Sequence, residues 1–326
     1  MRIAMVGTGI TRAAMPVLKE VGFELASICG TPAHMDNTRS VAGKFGVPKA
    51  YDDYGRMLEE GGFDVVYIGS PNHLHCSQTV EALEHGYHVI VEKPMASNDR
   101  EVQKMADAAR RSGKMLFEAN ITVYVPNFLR EKDLVSTIGA VKTVNCSFQQ
   151  YSSRYDAFKK GEIKPVFDVS KSGGALMDQN VYNFHYVIGL FGEPEDITYF
   201  ANLEHGIDTS GTAVMSYPGF AASVTAAKDN SSPCFCMVSG TEGYILQHDC
   251  PGRDYSVTVH YRDGREIELP ADTPDTMEPE FRAFHDAIEA KDTAFMERQL
   301  AQSLATAKWL TKARESAGIV FPADKD

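Results

Sequence analysis

The sequence predicts an α/β protein in two parts: a doubly wound parallel sheet in residues 1–120, then an α+β domain, 121–326, with a large, mostly antiparallel open sheet. Three observations predict it. Up to residue 120, short and nearly continuous apolar runs alternate with helical stretches, as expected when helices cover both faces of a parallel sheet. Beyond residue 120, alternating runs follow one another with turns between them, which indicates antiparallel pairing. And 326 residues exceed the size at which one hydrophobic core usually keeps growing.

In the first part the strand runs are 2–6, 24–29, 64–69, 88–92 and 115–119, separated by helical stretches at 12–21, 37–46, 77–86 and 100–113. The second part opens with a helix near 126–137, a strand at 140–151 and a helix beginning near Gly174. Strand-like stretches then run at 195–205, 210–218, 220–228, 234–240, 243–249, 255–261 and 265–270, with turn chemistry at Tyr217-Pro218-Gly219-Phe220 and Asp263-Gly264. Helices at 278–290 and 294–316 close the chain. There is no internal repeat and no low-complexity linker, so the boundary near 120 is a change of periodicity.

Composition excludes several classes. With 43% hydrophobic and 23% charged residues this is ordinary globular composition, and no apolar stretch reaches the ~18 residues a membrane helix needs. A formal charge of −12, without a basic tract, argues against a nucleic-acid partner. The first apolar run, residues 3–6, is too short for a secretory signal, so the expectation is a cytoplasmic protein whose six cysteines are reduced thiols. His73, His75 and Cys76 sit too close together to form a metal site without distant partners, and no metal is expected.

Gly7 and Gly9 follow the first strand and precede a helix. Such a pair permits a tight turn and lets the backbone approach a pyrophosphate, whose charge the helix N-terminus favours. Gly7, Thr8, Gly9, Ile10 and Thr11 are therefore candidate dinucleotide contacts in a Rossmann fold. Arg12 replaces the third glycine of the usual pattern, leaving Ala13 or Ala14 as the small residue for close helix packing. Where an acid about 20 residues on would bind the ribose 2′-hydroxyl of NAD, the chain has Gly30 and Thr31. With no carboxylate to repel a 2′-phosphate, NAD and NADP both stay open, and Thr31 or Arg39 are the groups that could reach that phosphate. The turn Ser70-Pro71-Asn72, with His75 beyond it, adds further candidate cofactor contacts.

In "YHVIVEKPMA" an apolar run leads into Glu92-Lys93-Pro94 at the carboxyl edge of the parallel sheet, where ligands bind in such folds. Pro94 restricts Lys93 to extended backbone and so aims its ammonium. Glu92 and Lys93 join the cofactor-side candidates, and Lys93 is also a catalytic one. Downstream, Asp178, Tyr182 and His185 fall at i, i+4 and i+7, one face of a helix, while Val181, Phe184 and Ile188 form an apolar stripe on another.

These motifs resemble those of the glucose-fructose oxidoreductase, inositol dehydrogenase and rhizopine-catabolism family, essentially end to end. The match is carried by Gly7 and Gly9, Ser70-Pro71-Asn72 with His75, Glu92-Lys93-Pro94, Gly173-Gly174-Ala175-Leu176 with Asp178, and "EFRAFHDAI". The resemblance implies a Rossmann domain for NAD or NADP, and an open second-domain sheet that serves subunit association as a homodimer or homotetramer. It also implies Lys93 as the catalytic lysine and a cis bond to Pro94. On the helix, Asn180, Tyr182 and His185 stand where the commonest family pattern has glycine, histidine and aspartate; tyrosine at 182 is similar to the branch with glucose-fructose oxidoreductase and dimeric dihydrodiol dehydrogenase.

The expected reaction is hydride transfer between the nicotinamide and a secondary hydroxyl or carbonyl of a sugar, cyclitol or related polyol. The resemblance makes Tyr182 the acid/base partner, so Lys93, Asp178 and Tyr182 are the catalytic candidates; lysine and tyrosine ordinarily titrate near 10, and Lys93 beside Tyr182 would favour a phenolate. Asp178 would orient the lysine or bind a substrate hydroxyl, with Asn120, Lys164 and His185 as further substrate contacts. Two alternatives stay open: an NAD-dependent glycoside hydrolase of the same fold, and a non-catalytic dinucleotide or sugar sensor.

Overall fold

Five strand runs with intervening helices build a doubly wound layer, and a sixth short strand completes it. A computed structural model describes residues 1–253, 255–271 and 277–325. The chain divides into two compact units, Met1–Ala119 with Met277–Leu304, and Asn120–Thr276 with Ala305–Asp326.

The first unit runs β1 (Arg2–Val6), α1 (Ile10–Val21), β2 (Glu24–Cys29), α2 (Met35–Phe45), β3 (Lys49–Tyr51), α3 (Tyr54–Glu60), β4 (Val65–Ile68), α4 (His75–Glu84), β5 (His88–Glu92), α5 (Asp99–Ser112) and β6 (Leu116–Ala119). All strand pairs are parallel, in the order β3-β2-β1-β4-β5-β6, so the strand order reverses between β1 and β4. The centres of β1, β4, β5 and β6 are buried, which is why they read as nearly continuous apolar runs, with Glu118 in β6 the charged exception. The short β3 and α3 carry no strong periodicity and escaped the sequence reading.

The later helix α9 (Glu278–Ala290) packs in this same unit, as does the start of α10 (Thr293–Ser316). Phe281 meets Tyr67 edge-on at 5.4 Å, and Phe284 stacks on Phe117 at 4.8 Å. These aromatic contacts, worth about 0.5–1.5 kcal/mol each beyond area burial, draw residues 277–304 back to the first sheet.

The second unit contains α6 (Pro126–Leu134), β7 (Val141–Gln149), α7 (Tyr155–Lys159), a π-helical turn at Leu176–Asn180 and α8 (Val181–Phe191). There follow β8 (Asp196–Glu204), β9 (Ile207–Tyr217), β10 (Phe220–Ala227), β11 (Phe235–Gly240), β12 (Gly243–Gln247), β13 (Val257–Tyr261) and β14 (Glu266–Leu269). Among the described residues these strands form one sheet in the order β14-β13-β12-β11-β7-β10-β9-β8, with β7 and β10 parallel and the other neighbours antiparallel. One face is covered: α8 packs on β7 and β10, and Asn180 and Asn183 each donate to a β10 carbonyl, Val224 O and Thr225 O, at 3.2 Å. None of the described helices is long and apolar enough to cross a membrane.

Candidate functional site

In the first unit a cleft of about 410 Å³ opens at the carboxyl ends of β1, β2 and β4, beside the strand-order reversal. Gly7, Thr8, Gly9, Gly30, Thr31 and Ser70 line it, with Pro71. Gly7 adopts φ +95°, and a Cβ there would lie 2.6 Å from Gly69 O, so only glycine lets β1 turn this tightly. A Cβ on Gly9 would meet nothing within 4 Å, leaving backbone open to a ligand at the N-terminus of the 12-residue helix α1. Burial pushes the Cys29 thiol to about 12, with Asp53 and Asp52 adding to the shift, so it is a neutral wall of this cleft.

One expected loop contact has another duty. Thr11 is fully buried and its hydroxyl donates to Gly7 O at 2.7 Å, bracing the turn from within. Ile10 is 39% exposed beside it. Ala14 is the fully buried small residue on α1, while Arg12 and Ala13 face solvent.

At the ribose end, Gly30 is glycine for a packing reason: a Cβ there would lie 2.0 Å from Thr38 Oγ1. Thr31 Oγ1 and His34 Nδ1 are 2.8 Å apart at the cleft wall, and Asn37 donates to Thr8 Oγ1 at 2.9 Å. His34, Asn37 and Gln78, whose amide oxygen accepts from Ser70 Oγ at 2.6 Å, had no sequence signal beyond lying near the motifs. Arg39 is exposed and 4.0 Å from Asp36.

The Lys93 segment is clamped from two sides. The Lys93–Pro94 bond is cis, as the resemblance implied. Pro94 O lies 3.0 Å from His75 Nδ1, and the Met95 N–H donates to Glu118 Oε1 at 3.0 Å. His75 Nε2 lies 2.9 Å from Ser70 O, so one imidazole ties the Ser70 turn of the cleft to the Lys93–Pro94 bend. Only 1% of His75 is exposed, which corrects the expectation that it touches the dinucleotide; it reaches the cleft through Ser70. Burial holds its pKa below the usual 6.5, while the two carbonyls pull the other way. Burial raises the Glu92 carboxyl to about 7, with the hydroxyl of Tyr67 and the charge of Lys93 acting against the shift. Asn72 begins the short turn leading into α4.

In the second unit Asp178 lies within the π-turn and Tyr182 in the first turn of α8, both partly exposed. π-Turns inside helices concentrate at functional sites. Lys228, the residue after β10, donates to Asp178 Oδ2. Tyr182 is held by Phe148, 5.7 Å between rings, and by Gly252, where a Cβ would stand 3.2 Å from the ring. Lys228 and Gly252 went unread because nothing local marks a lysine at a strand end or a glycine beside a distant ring.

His185, by contrast, is fully buried, with Nδ1 3.2 Å from Thr306 Oγ1. This corrects its assignment as a substrate contact: the wide π-turn offsets the register that even α-helical spacing assumes, and α8 is buried on nearly every side. Lys164 is exposed on a loop, 3.9 Å from Glu162. Asn120, the residue after β6, is 2% exposed, and its buried Oδ1 has no hydrogen-bond partner among the described residues.

The first unit therefore fits a dinucleotide: an open glycine turn at a helix N-terminus for the pyrophosphate, and a ribose end without a carboxylate at residue 30. Residues 1–120 match the model of an oxidoreductase family with an NAD-binding Rossmann fold, and residues 130–246 match the GFO/IDH/MocA C-terminal domain. The chain is 37% identical to scyllo-inositol 2-dehydrogenase (NADP(+)) IolU of Bacillus subtilis, covering 99% of each chain. It is 28% identical to D-xylose 1-dehydrogenase (NADP(+)) 2 of Haloferax volcanii over 95% of this chain and 94% of that one. A 3-ketoreductase from Actinomadura kijaniata, solved with NADP and TDP-benzene, has the same fold, with a TM-score of 0.84, 21% identity and 97% of each chain covered. The chain belongs to the GFO/IDH/MocA family of NAD(P)-binding oxidoreductases.

Proposed function

We propose that this protein is a dehydrogenase or reductase that prefers NADP and acts on a secondary hydroxyl or carbonyl of a cyclitol or sugar. The clamped Lys93 bend, tied through His75 to the glycine cleft, carries the reading. The preference for NADP is supported by Gly30, which puts no acid at the end of β2, and by the NADP(+) in the names of the inositol and xylose relatives, while Asp52 is the one carboxylate among the residues lining the cleft.

When bound, the dinucleotide supplies hydride exchange at its nicotinamide. The backbone of Gly7, Thr8 and Gly9 would hold the pyrophosphate, and Thr31 with His34 the ribose end. Lys93 takes or returns the hydroxyl proton, helped by a main chain that is fixed before substrate arrives. In the second unit Tyr182 and Asp178 offer a phenol and a carboxylate to substrate hydroxyls, with Asn120 as a further contact.

The same reading makes the protein a cytoplasmic homodimer or homotetramer formed through the second unit's sheet. Phe200 on β8 is 65% exposed and Val214 on β9 is 37% exposed, with Tyr244 exposed on β12; by strand register the three share one face and give that sheet apolar outer positions.

Titration with NADP(H) and NAD(H), followed by a cyclitol and sugar panel read at the reduced-nicotinamide absorbance, tests the proposal. The expected result is tighter NADP(H) binding and polyol-dependent reduction. Glycoside cleavage without net reduction, or dinucleotide binding without any turnover, would overturn it in favour of a hydrolase or a sensor.

A further inference from the structure

We propose that Lys228 is a positioning residue for the reaction: its buried ammonium holds Asp178 as an ionised, oriented acceptor for a substrate hydroxyl. The inference rests on the proposed function, in which Asp178 meets substrate. The Lys228 side chain is 5% exposed and that of Asp178 is 33% exposed, so the pair has one dry end and one wet end. Burying an ammonium is costly unless it is paired, and an apolar side chain of similar volume often serves a core equally well or better. A lysine in this place is explained by what it does for the carboxylate at the wet end.

The geometry makes the cation a fixed point. The Lys228 N–H donates to Thr209 O and its carbonyl accepts from the Ser152 N–H, both at 2.8 Å, which pins the backbone on two sides. Its ammonium lies 5.8 Å from the centre of the Phe167 ring. Three other acids, on β8, on β9 and next to Lys228 in the chain, are engaged by neutral donors. Asp208 accepts from the Leu176 N–H at 2.6 Å and from Tyr199 Oη at 2.8 Å. Asp229 accepts from Thr209 and Ser210 hydroxyls at 2.7 Å, and Glu204 from Tyr155 Oη at 2.5 Å. Lys228 acts on Asp208 through space but hydrogen-bonds Asp178.

An acceptor held in this way binds a hydroxyl without competing for its proton, and its orientation is set from beneath. The π-turn carries Asp178 and leads into α8 with Tyr182, so a shift of the carboxylate moves one of the groups proposed to meet substrate.

The test is a double-mutant cycle of Asp178→Asn and Lys228→Met in the full chain, with NADP titration, urea unfolding and the pH profile of kcat/KM for each variant. Lys228→Met is expected to lower kcat/KM about 100-fold at neutral pH with dinucleotide binding unchanged. Its acid limb is expected to move to higher pH, because a carboxylate without its cation protonates more readily, so activity returns in part as pH rises. Lys228→Arg restores the limb to its place. On the Asp178→Asn background, Lys228→Met costs less than about twofold more. Losses that multiply in the double variant, or a Lys228→Met defect equal at every pH, overturn the inference. Should Lys228→Met fail to fold, Lys228→Gln enters the same cycle with the same deciding outcomes, and a Lys228→Arg profile shifted like that of a neutral variant also overturns it. No turnover in the unaltered chain would instead overturn the proposed function.

Discussion

Thr38 Oγ1 occupies the place where a side chain on residue 30 would begin: a Cβ on Gly30 would stand 2.0 Å from it. Thr38 is fully buried and donates to His34 O at 3.1 Å, so it cannot simply swing aside. The missing ribose-binding acid is thus a consequence of packing. Gly30→Asp is expected to destabilise the protein by about 1–3 kcal/mol without creating a preference for NAD. Urea unfolding checks it, and adding Thr38→Ala should recover most of the loss.

Lys93→Met is expected to keep dinucleotide affinity within about twofold and to lower kcat by about 10²–10⁴, the usual range for losing a general acid or base. Fluorescence titration and steady-state kinetics on the same sample separate the two effects. An equal loss in both would place Lys93 in binding.

Tyr182→Phe should lower kcat/KM while leaving the urea midpoint nearly unchanged, because the ring stays between Phe148 and Gly252. Gly252→Ala sets a methyl 3.2 Å from that ring and is expected to cost about tenfold in kcat/KM through displacement of the phenol. The pair of variants shows whether the position of the ring matters as well as its hydroxyl.

Glu131 is fully buried, and burial raises its carboxyl from 4.5 to about 8, against the pull of the Tyr186 hydroxyl at 2.5 Å. The folded state therefore holds a proton that the unfolded state has released between pH 4.5 and 8. Stability from this residue is fully present below pH 4.5 and is lost as pH rises from there through 8, by up to about 5 kcal/mol in total. Urea midpoints across that interval should slope downward, and Glu131→Gln should flatten the slope.

Much of this was legible in advance because period-two and period-3.6 patterns survive in single strands and helices. The parallel sheet, the strand-rich second unit, the glycine turn and the Lys93 bend all announce themselves locally. His185 did not, since the π-turn at Leu176–Asn180 breaks the spacing on which its placement rested. Lys228 and Gly252 meet Asp178 and Tyr182 only through the fold, across 50 and 70 residues of chain.

The return of Phe281 and Phe284 to Tyr67 and Phe117 also has a temporal side. A ribosome that has delivered residues 1–119 has made all six parallel strands but not the helix that covers part of them, and some 160 more residues must emerge before it arrives. The nucleotide-binding half is thus among the first stretches synthesised and among the last completed. Cut out alone, it would present bare aromatic rings to water and tend to aggregate.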